Sequence, residues 1–275
     1  MDHFDKDVVY INSYDRLSGT SSSFTADVSQ QVKPVNDYDS IVLLNASIPK
    51  SYYLVNNYSN TFQISESGYP TRTITLVNGN YSLTALRSAL NTLIAAAGLQ
   101  FTYVFSISQI TGKSTFTSSG TGCALIFGAN SPWRILGFNK ATYNIPLVGS
   151  AYTVTSPNVV NLQLTNTIDI MSNVVDKGIL SSVIPSQSDF GAILFIERNA
   201  GLVSKQLISR QFNSIQIYLL DGITGQPIDL NGLDVQMTLV LYKKNNYFKT
   251  MLEDHKLQLL QDDYEQRARA ADQPQ

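Results

Sequence analysis

The stretch YLLDGITGQPIDLNGLD, from Tyr218 to Asp234, places Asp221, Asp229, Asn231 and Asp234 among Gly222, Gly225, Gly232 and Pro227. Oxygen-bearing side chains this close together could hold a hard cation. A calcium loop of the EF-hand type requires D-x-[DN]-x-[DN]-G with a glutamate further on, held between two helices. Asp229-Leu-Asn231-Gly232 falls short of that pattern, no glutamate follows before Glu253, and both flanks alternate like strands. The same residue types suit a connection between strands, since glycine admits positive φ and Asp and Asn bond their own backbone. The expectation is a structural turn built on Asp221, Gly222, Asp229, Asn231, Gly232 and Asp234, and no metal.

Other chemistries are poorly supplied. Histidine occurs only at His3 and His255, in terminal segments, so a nucleophile-histidine pair lacks a base on a rigid element. Cys123 is the single cysteine, which excludes an internal disulfide and a multi-cysteine zinc site, and it reads as a core thiol. The carboxylates between residue 60 and the tail are Glu66, Asp169, Asp176, Asp189, Glu197, Asp221, Asp229 and Asp234, several of them in turns. No phosphate-binding G-x-x-x-x-G-K-[ST] loop is present. Neither catalytic residues nor a cofactor are expected, and the chain does not read as an enzyme. Tyr52, Tyr53, Tyr58, Tyr69 and Tyr81 cluster in the N-terminal third, where loop tyrosines can stack on sugars or bases or fill interfaces.

Composition narrows the partners. Of 275 residues 43% are hydrophobic, enough for a sizeable core, and only 15% are charged, against about 25% in ordinary soluble domains. A surface of Ser, Thr, Asn and Gln is cheaply desolvated, which suits burial against partners. The net charge of −2 opposes strong nucleic-acid binding. Residues 67–168 hold five bases and no acid, leaving −7 for the remainder. The acidic opening MDHFDKDVVY has no apolar run, so synthesis without a secretion signal is expected, and no run approaches the ~20 apolar residues that span a bilayer.

The elements needed to position these residues are mostly strands. Apolar runs of β character occupy 8–11, 39–49, 61–65, 72–77, 101–107, 114–117, 124–127 and 193–197. Residues 159–165 and 214–220 alternate with period two, and from 233 to 242 Leu233, Val235, Met237, Leu239 and Leu241 share one face. An all-β sandwich or barrel follows. Residues 82–98 form a helix, capped by Ser82, striped by Leu83, Leu86, Leu90, Leu93, Ile94 and Ala97, and stopped at Gly98. Pro132 suggests a short helical turn over 131–135. From Lys243 the chain changes: 12 of the last 33 residues are charged and glycine is absent. Leu257, Leu260 and Tyr264 belong to a thin apolar stripe on a helix too short to stand alone. That tail suits docking on a partner, and lying on its own sandwich or fraying are the other readings.

Three stretches together resemble a known family. They are INSYDRLSGTSSSFTADV; NGNYSLTALRSALNTLI with the following ITGKSTFTSS and SPWRILGF; and FNSIQIYLLDGITGQPIDLNGLDVQMTLVLYK. This combination resembles the single jelly-roll capsid proteins that form pentons, or vertices, in virophages, Polinton-like viruses and related large DNA viruses. The resemblance spans most of residues 8–243 and implies a single jelly-roll β-sandwich with an inserted helix and extra strands. Residues 1–243 would be the capsid domain, with an insertion around 61–140, followed by a charged helical tail over 244–275. It also implies a virion location, a homopentamer at the five-fold vertex, and contacts with the major capsid protein and other minor capsid proteins. A cement protein between capsomers and a receptor- or carbohydrate-binding attachment module are the alternatives.

Overall fold

Val9 and Ile11 face one way and Val8 and Tyr10 the other, the two-residue period of an extended chain, and the computed structural model makes this run a strand. The structure describes residues 5–33, 38–163, 167–185, 190–197 and 204–243. Among them are eighteen strands and one α-helix. The strands are β1 (Asp5–Asn12), β2 (Ser18–Thr20), β3 (Ser23–Asp27), β4 (Ser40–Pro49), β5 (Thr61–Glu66), β6 (Arg72–Thr75), β7 (Tyr103–Ile107), β8 (Lys113–Ser118) and β9 (Cys123–Ile126). They continue as β10 (Thr142–Asn144), β11 (Leu147–Val148), β12 (Ala151–Val159), β13 (Ile168–Ser172), β14 (Ile179–Val183), β15 (Ile193–Glu197), β16 (Lys205–Gln206), β17 (Ser214–Asp221) and β18 (Gln236–Lys243). The helix, α1, is Leu83–Ala96.

Pairing sorts the strands into two sandwiches. In the first, one sheet runs β1-β18-β4-β15, with β16 also on β4, and the other runs β14-β13-β17-β3-β2. Take β1, β3, β4, β13, β14, β15, β17 and β18 as eight strands in sequence. The first pairs with the eighth, the second with the seventh, the third with the sixth and the fourth with the fifth, all antiparallel. This nested order is a jelly roll, so the all-β jelly-roll expectation holds. Its core is formed by the inward faces, including Ile11, Phe24, Ile41, Ile170, Ile217 and Leu239.

The second sandwich lies between β4 and β13 in sequence. Its sheets run β10-β9-β5-β6 and β11-β12-β8-β7, and they enclose a separate core rich in phenylalanine, with the Phe105 and Phe116 rings 4.8 Å apart and Phe127 and Phe138 4.9 Å apart. Residues from Leu54 to Leu162 contribute to it, where the resemblance implied an insertion around 61–140. Helix α1 starts where Ser82 Oγ accepts from Ala85 N at 3.2 Å and turns Leu86, Leu90 and Ile94 inward. Gly98, at φ +66°, ends it. From the helix, Asn91 accepts from Phe105 N at 2.8 Å and donates to Phe105 O at 3.0 Å, occupying backbone groups of the edge strand β7. Buried Glu66 accepts from Gln100 N at 2.8 Å and Phe101 N at 2.9 Å, tying the segment after the helix to the sheets.

Residues 133–137 form a turn beside Pro132, closed by Leu136 N to Pro132 O, a bond of α-helical span, and by Phe138 N to Trp133 O, at 2.9 and 2.7 Å. Two local expectations change. The strand expected over 159–165 meets β12 only at Val159; residues 160–163 follow outside the strand, and 164–165 lie outside the described residues. Val160 N donates to Gly112 O at 2.8 Å and Asn161 N to Ile135 O at 3.0 Å, while Val160 and Leu162 pack half-buried on the second core. Leu233 is exposed, because it lies in the connection before β18 and only Val235, Met237, Leu239 and Leu241 face inward. Residues 244–275, with Leu257, Leu260 and Tyr264, lie outside the described residues. Among the described residues no helix is long and apolar enough to cross a membrane.

Leu239 is buried on the central strand β18. Leu239→Asp puts an unpaired carboxylate in the core and should lower stability by about 3–5 kcal/mol, measured by urea unfolding. A denaturation midpoint equal to the parent's would contradict the inward placement of this face.

Candidate functional site

Residues 222–235 connect β17 to β18. Asp221 ends β17, and its Oδ1 accepts from Ile223 N at 3.0 Å and Thr224 N at 2.7 Å. Gly222 donates its N–H to Thr167 O at 2.9 Å. A Cβ at Gly222 would lie 2.1 Å from Thr167 Oγ1, so a glycine is needed for this close approach. Further on, Asp229 Oδ1 accepts from Asn231 N at 2.8 Å. Asn231 takes φ +51°, a value Asn tolerates better than most residues, and Gly232 follows with φ +83°.

The turn residues also staple the turn to the rest of the jelly roll. Asn231 Nδ2 donates to Ser51 O, and Ser51 Oγ donates to Leu230 O at 2.6 Å. Asp234 Oδ1 accepts from Ser13 Oγ at 2.7 Å and faces Arg16 Nη1 at 3.4 Å. The three aspartates thus serve three different places, two on local backbone and one on the Ser13–Arg16 corner. Cys123 is buried in the second core beside Ser118 Oγ at 3.3 Å.

A second feature emerges only in three dimensions. A cleft of about 400 Å³ lies where the two sandwiches meet. The jelly roll contributes Asp221, Thr224, Gln226 and Asp229, and the second sandwich contributes Asn57, Tyr58, Asn78 and Arg134. Both crossing segments line it, through Tyr52 and Tyr53 on one side and Asn161 and Gln163 on the other. Of the five clustered tyrosines, Tyr52, Tyr53 and Tyr58 are therefore brought together. Tyr69 packs edge-on to Phe101 and Tyr81 donates to Val77 O at 2.7 Å, outside the cleft. Arg134, Gln163 and Gln226 carried no sequence signal, since isolated polar residues in loops have no period. Tyr52 is buried, and among the described residues its hydroxyl has no hydrogen-bond partner. Burial, helped by the negative charge of Asp221, pushes its phenol up to about 12.

The strand order and the site together define a jelly-roll protein carrying a second sandwich in the loop between its third and fourth strands. No protein-family model and no curated protein matches the chain. Among solved structures it is similar to the mavirus penton protein, at 13% identity over 88% of this chain and 100% of that chain, with a TM-score of 0.43. It is also similar to a chain in the cryo-electron microscopy structure of the Sputnik virophage, at 12% identity over 86% of this chain and 98% of that chain, with a TM-score of 0.35.

Two measurements test the site. Asn231→Val introduces a β-branched residue at positive φ and removes the bond to Ser51, so it should cost about 2–3 kcal/mol; Asn231→Gly loses the same bond but adopts the positive φ without strain, so it should cost less. Equal losses would show that the backbone conformation carries no strain. For Tyr52, a folded value of about 12 against the ordinary 10.0 means that folding favours the neutral phenol. That contribution is whole below pH 10 and is lost as pH rises toward 12. Alkaline unfolding followed by circular dichroism should therefore show a drop across this window that Tyr52→Phe removes, and an unchanged profile in the variant would refute it.

Proposed function

We propose that this chain is a structural capsid protein that assembles as homopentamers at the five-fold vertices of an icosahedral virion. The observation that carries the reading is the complete jelly roll with an apolar outward face on its first sheet. Tyr10, Ile193 and Phe195 stand there 69%, 65% and 66% exposed, on strands whose alternate residues fill the core. A ring of identical wedges needs heterologous contacts that close by rotation, and exposed aromatics on a rigid sheet supply contact area at small entropic cost. The low charge of the surface favours the same use, because few strongly hydrated groups must be stripped of water. Repeated weak contacts around a shell add up, so no single interface must be tight. In this reading residues 1–243 form the capsid module, with the second sandwich as an elaboration on it, and 244–275 reach neighbouring capsomers made of the major capsid protein.

Native mass spectrometry and light scattering on the full chain at rising concentration should show pentamers. Tyr10→Asp with Phe195→Asp should reduce assembly with little change in melting temperature, since both side chains are exposed, and ending the chain at 243 should reduce incorporation into particles. A strict monomer at every concentration, together with a particle map that places the chain away from the five-fold axes, would overturn the proposal.

A further inference from the structure

The cleft between the sandwiches has the make-up of a ligand site. Its volume of about 400 Å³ falls within the roughly 300–1,000 Å³ of small-ligand clefts. Its lining is unlike either core, being dominated by amides, tyrosines and hydroxyls. Several of these groups are uncommitted. Among the described residues, the Arg134 guanidinium and the side-chain amides of Gln163 and Gln226 make no hydrogen bond or ion pair. Asn161 uses only its Oδ1, which accepts from Gln163 N at 2.9 Å. Arg134 is held in place from behind, its guanidinium carbon 5.3 Å from the centre of the Trp133 ring. Tyr53 is likewise held, stacked on Phe190 with ring centres 5.9 Å apart.

Tyr52 also borders the cleft; its hydroxyl is fully buried and, among the described residues, has no hydrogen-bond partner, an arrangement that costs stability unless something else offsets it. Such local conflicts persist where function maintains them.

The chemistry of the lining selects the ligand class. An amide presents a donor and an acceptor side by side, and the alcohol groups of a sugar both donate and accept. A tyrosine offers an apolar face and a polar tip, matching the C–H face and hydroxyl rim of a pyranose ring. Charge argues against an anion, since Arg134 is opposed by Asp221 and Asp229. We propose that this cleft binds a neutral glycan of one or two sugar units, lying against Tyr53 and Tyr58 and hydrogen-bonded by Arg134, Gln163 and Gln226. The site is composite: Tyr58 and Arg134 come from the second sandwich, Gln226 from the jelly roll, and Tyr53 and Gln163 from the crossing segments. The proposal stands apart from the capsid reading, as it concerns a cleft within one chain.

The test uses the full chain and defined probes: glucose, galactose, mannose, N-acetylglucosamine, fucose, lactose and N-acetyllactosamine, with sialyllactose and inorganic sulfate as charged comparators. Saturation-transfer NMR should show at least one neutral sugar binding, and titration calorimetry should give its affinity. Gln226→Ala and Arg134→Ala should each weaken that affinity about ten-fold while leaving the melting temperature near the parent's, because both side chains are exposed. Absence of transfer from every neutral probe would overturn the proposal. So would binding unchanged in both variants, or a stronger response to sialyllactose or sulfate than to any neutral sugar. If the two variants instead abolish association with another capsid protein while no sugar binds, the cleft is a protein-docking groove and the glycan assignment falls.

Discussion

The pairing of the first strand with the last is the constraint on which the rest depends. Asp5 to Asn12 lies in continuous antiparallel register against Lys243 to Gln236, and β18 in turn pairs with β4. This is the outermost of four nested pairs, so it closes only when everything between has been placed. Its energy comes from burial of alternate side chains: Val9, Ile11, Met237, Leu239 and Leu241 all enter one core, at about 1.5–3 kcal/mol for each fully buried large apolar side chain. Because β18 sits between β1 and β4, a slip of this strand by one residue would turn Met237, Leu239 and Leu241 outward at once. The β17–β18 connection leads into this strand, and Asp234 and Asn231 secure it to Ser13 and Ser51.

A loop of the jelly roll can carry a second sandwich for a simple reason. Loop-closure cost grows only logarithmically, by about 0.6 kcal/mol for each doubling of length, and the inserted chain recovers far more by forming its own phenylalanine-rich core. The two cores remain separate, joined through Tyr52–Leu54 and Asn161–Gln163. Rounded sandwiches meeting at two crossing segments do not fit flush. The space left over is lined by amides, hydroxyls and tyrosines together with Leu54, Ile135, Ile223 and Ile228, and so a cleft of mixed polar and apolar character forms at the junction.

Glu66 and Asn91 show how polar groups hold the insert together. Each satisfies backbone N–H groups that helix and sheet hydrogen bonding leaves open, one beyond the helix and one on the edge of β7. A buried carboxylate so used is structural, and its position in the sequence, at the end of an alternating strand, does not distinguish it from a catalytic acid. The distinction lies in what its oxygens touch.

By itself the sequence determined the extended segments, the single described helix with its Ser82 cap and Gly98 stop, and the character of the Asp221–Asp234 connection. Each of these rests on preferences that act within a few residues: side-chain period, φ tolerance and the bonding of Asp and Asn to nearby backbone. Its resemblance to jelly-roll capsid proteins pointed to the correct strand architecture. Only the tertiary structure decided that the strands nest in four pairs, that a second core spans Leu54 to Leu162, that Val160 and Leu162 pack on that core beyond the end of β12, and that Tyr52, Arg134, Gln163 and Gln226 line one cleft. These outcomes depend on which distant segments meet, and the free energy of such meetings comes from shape and burial summed over the whole chain, which no local pattern records.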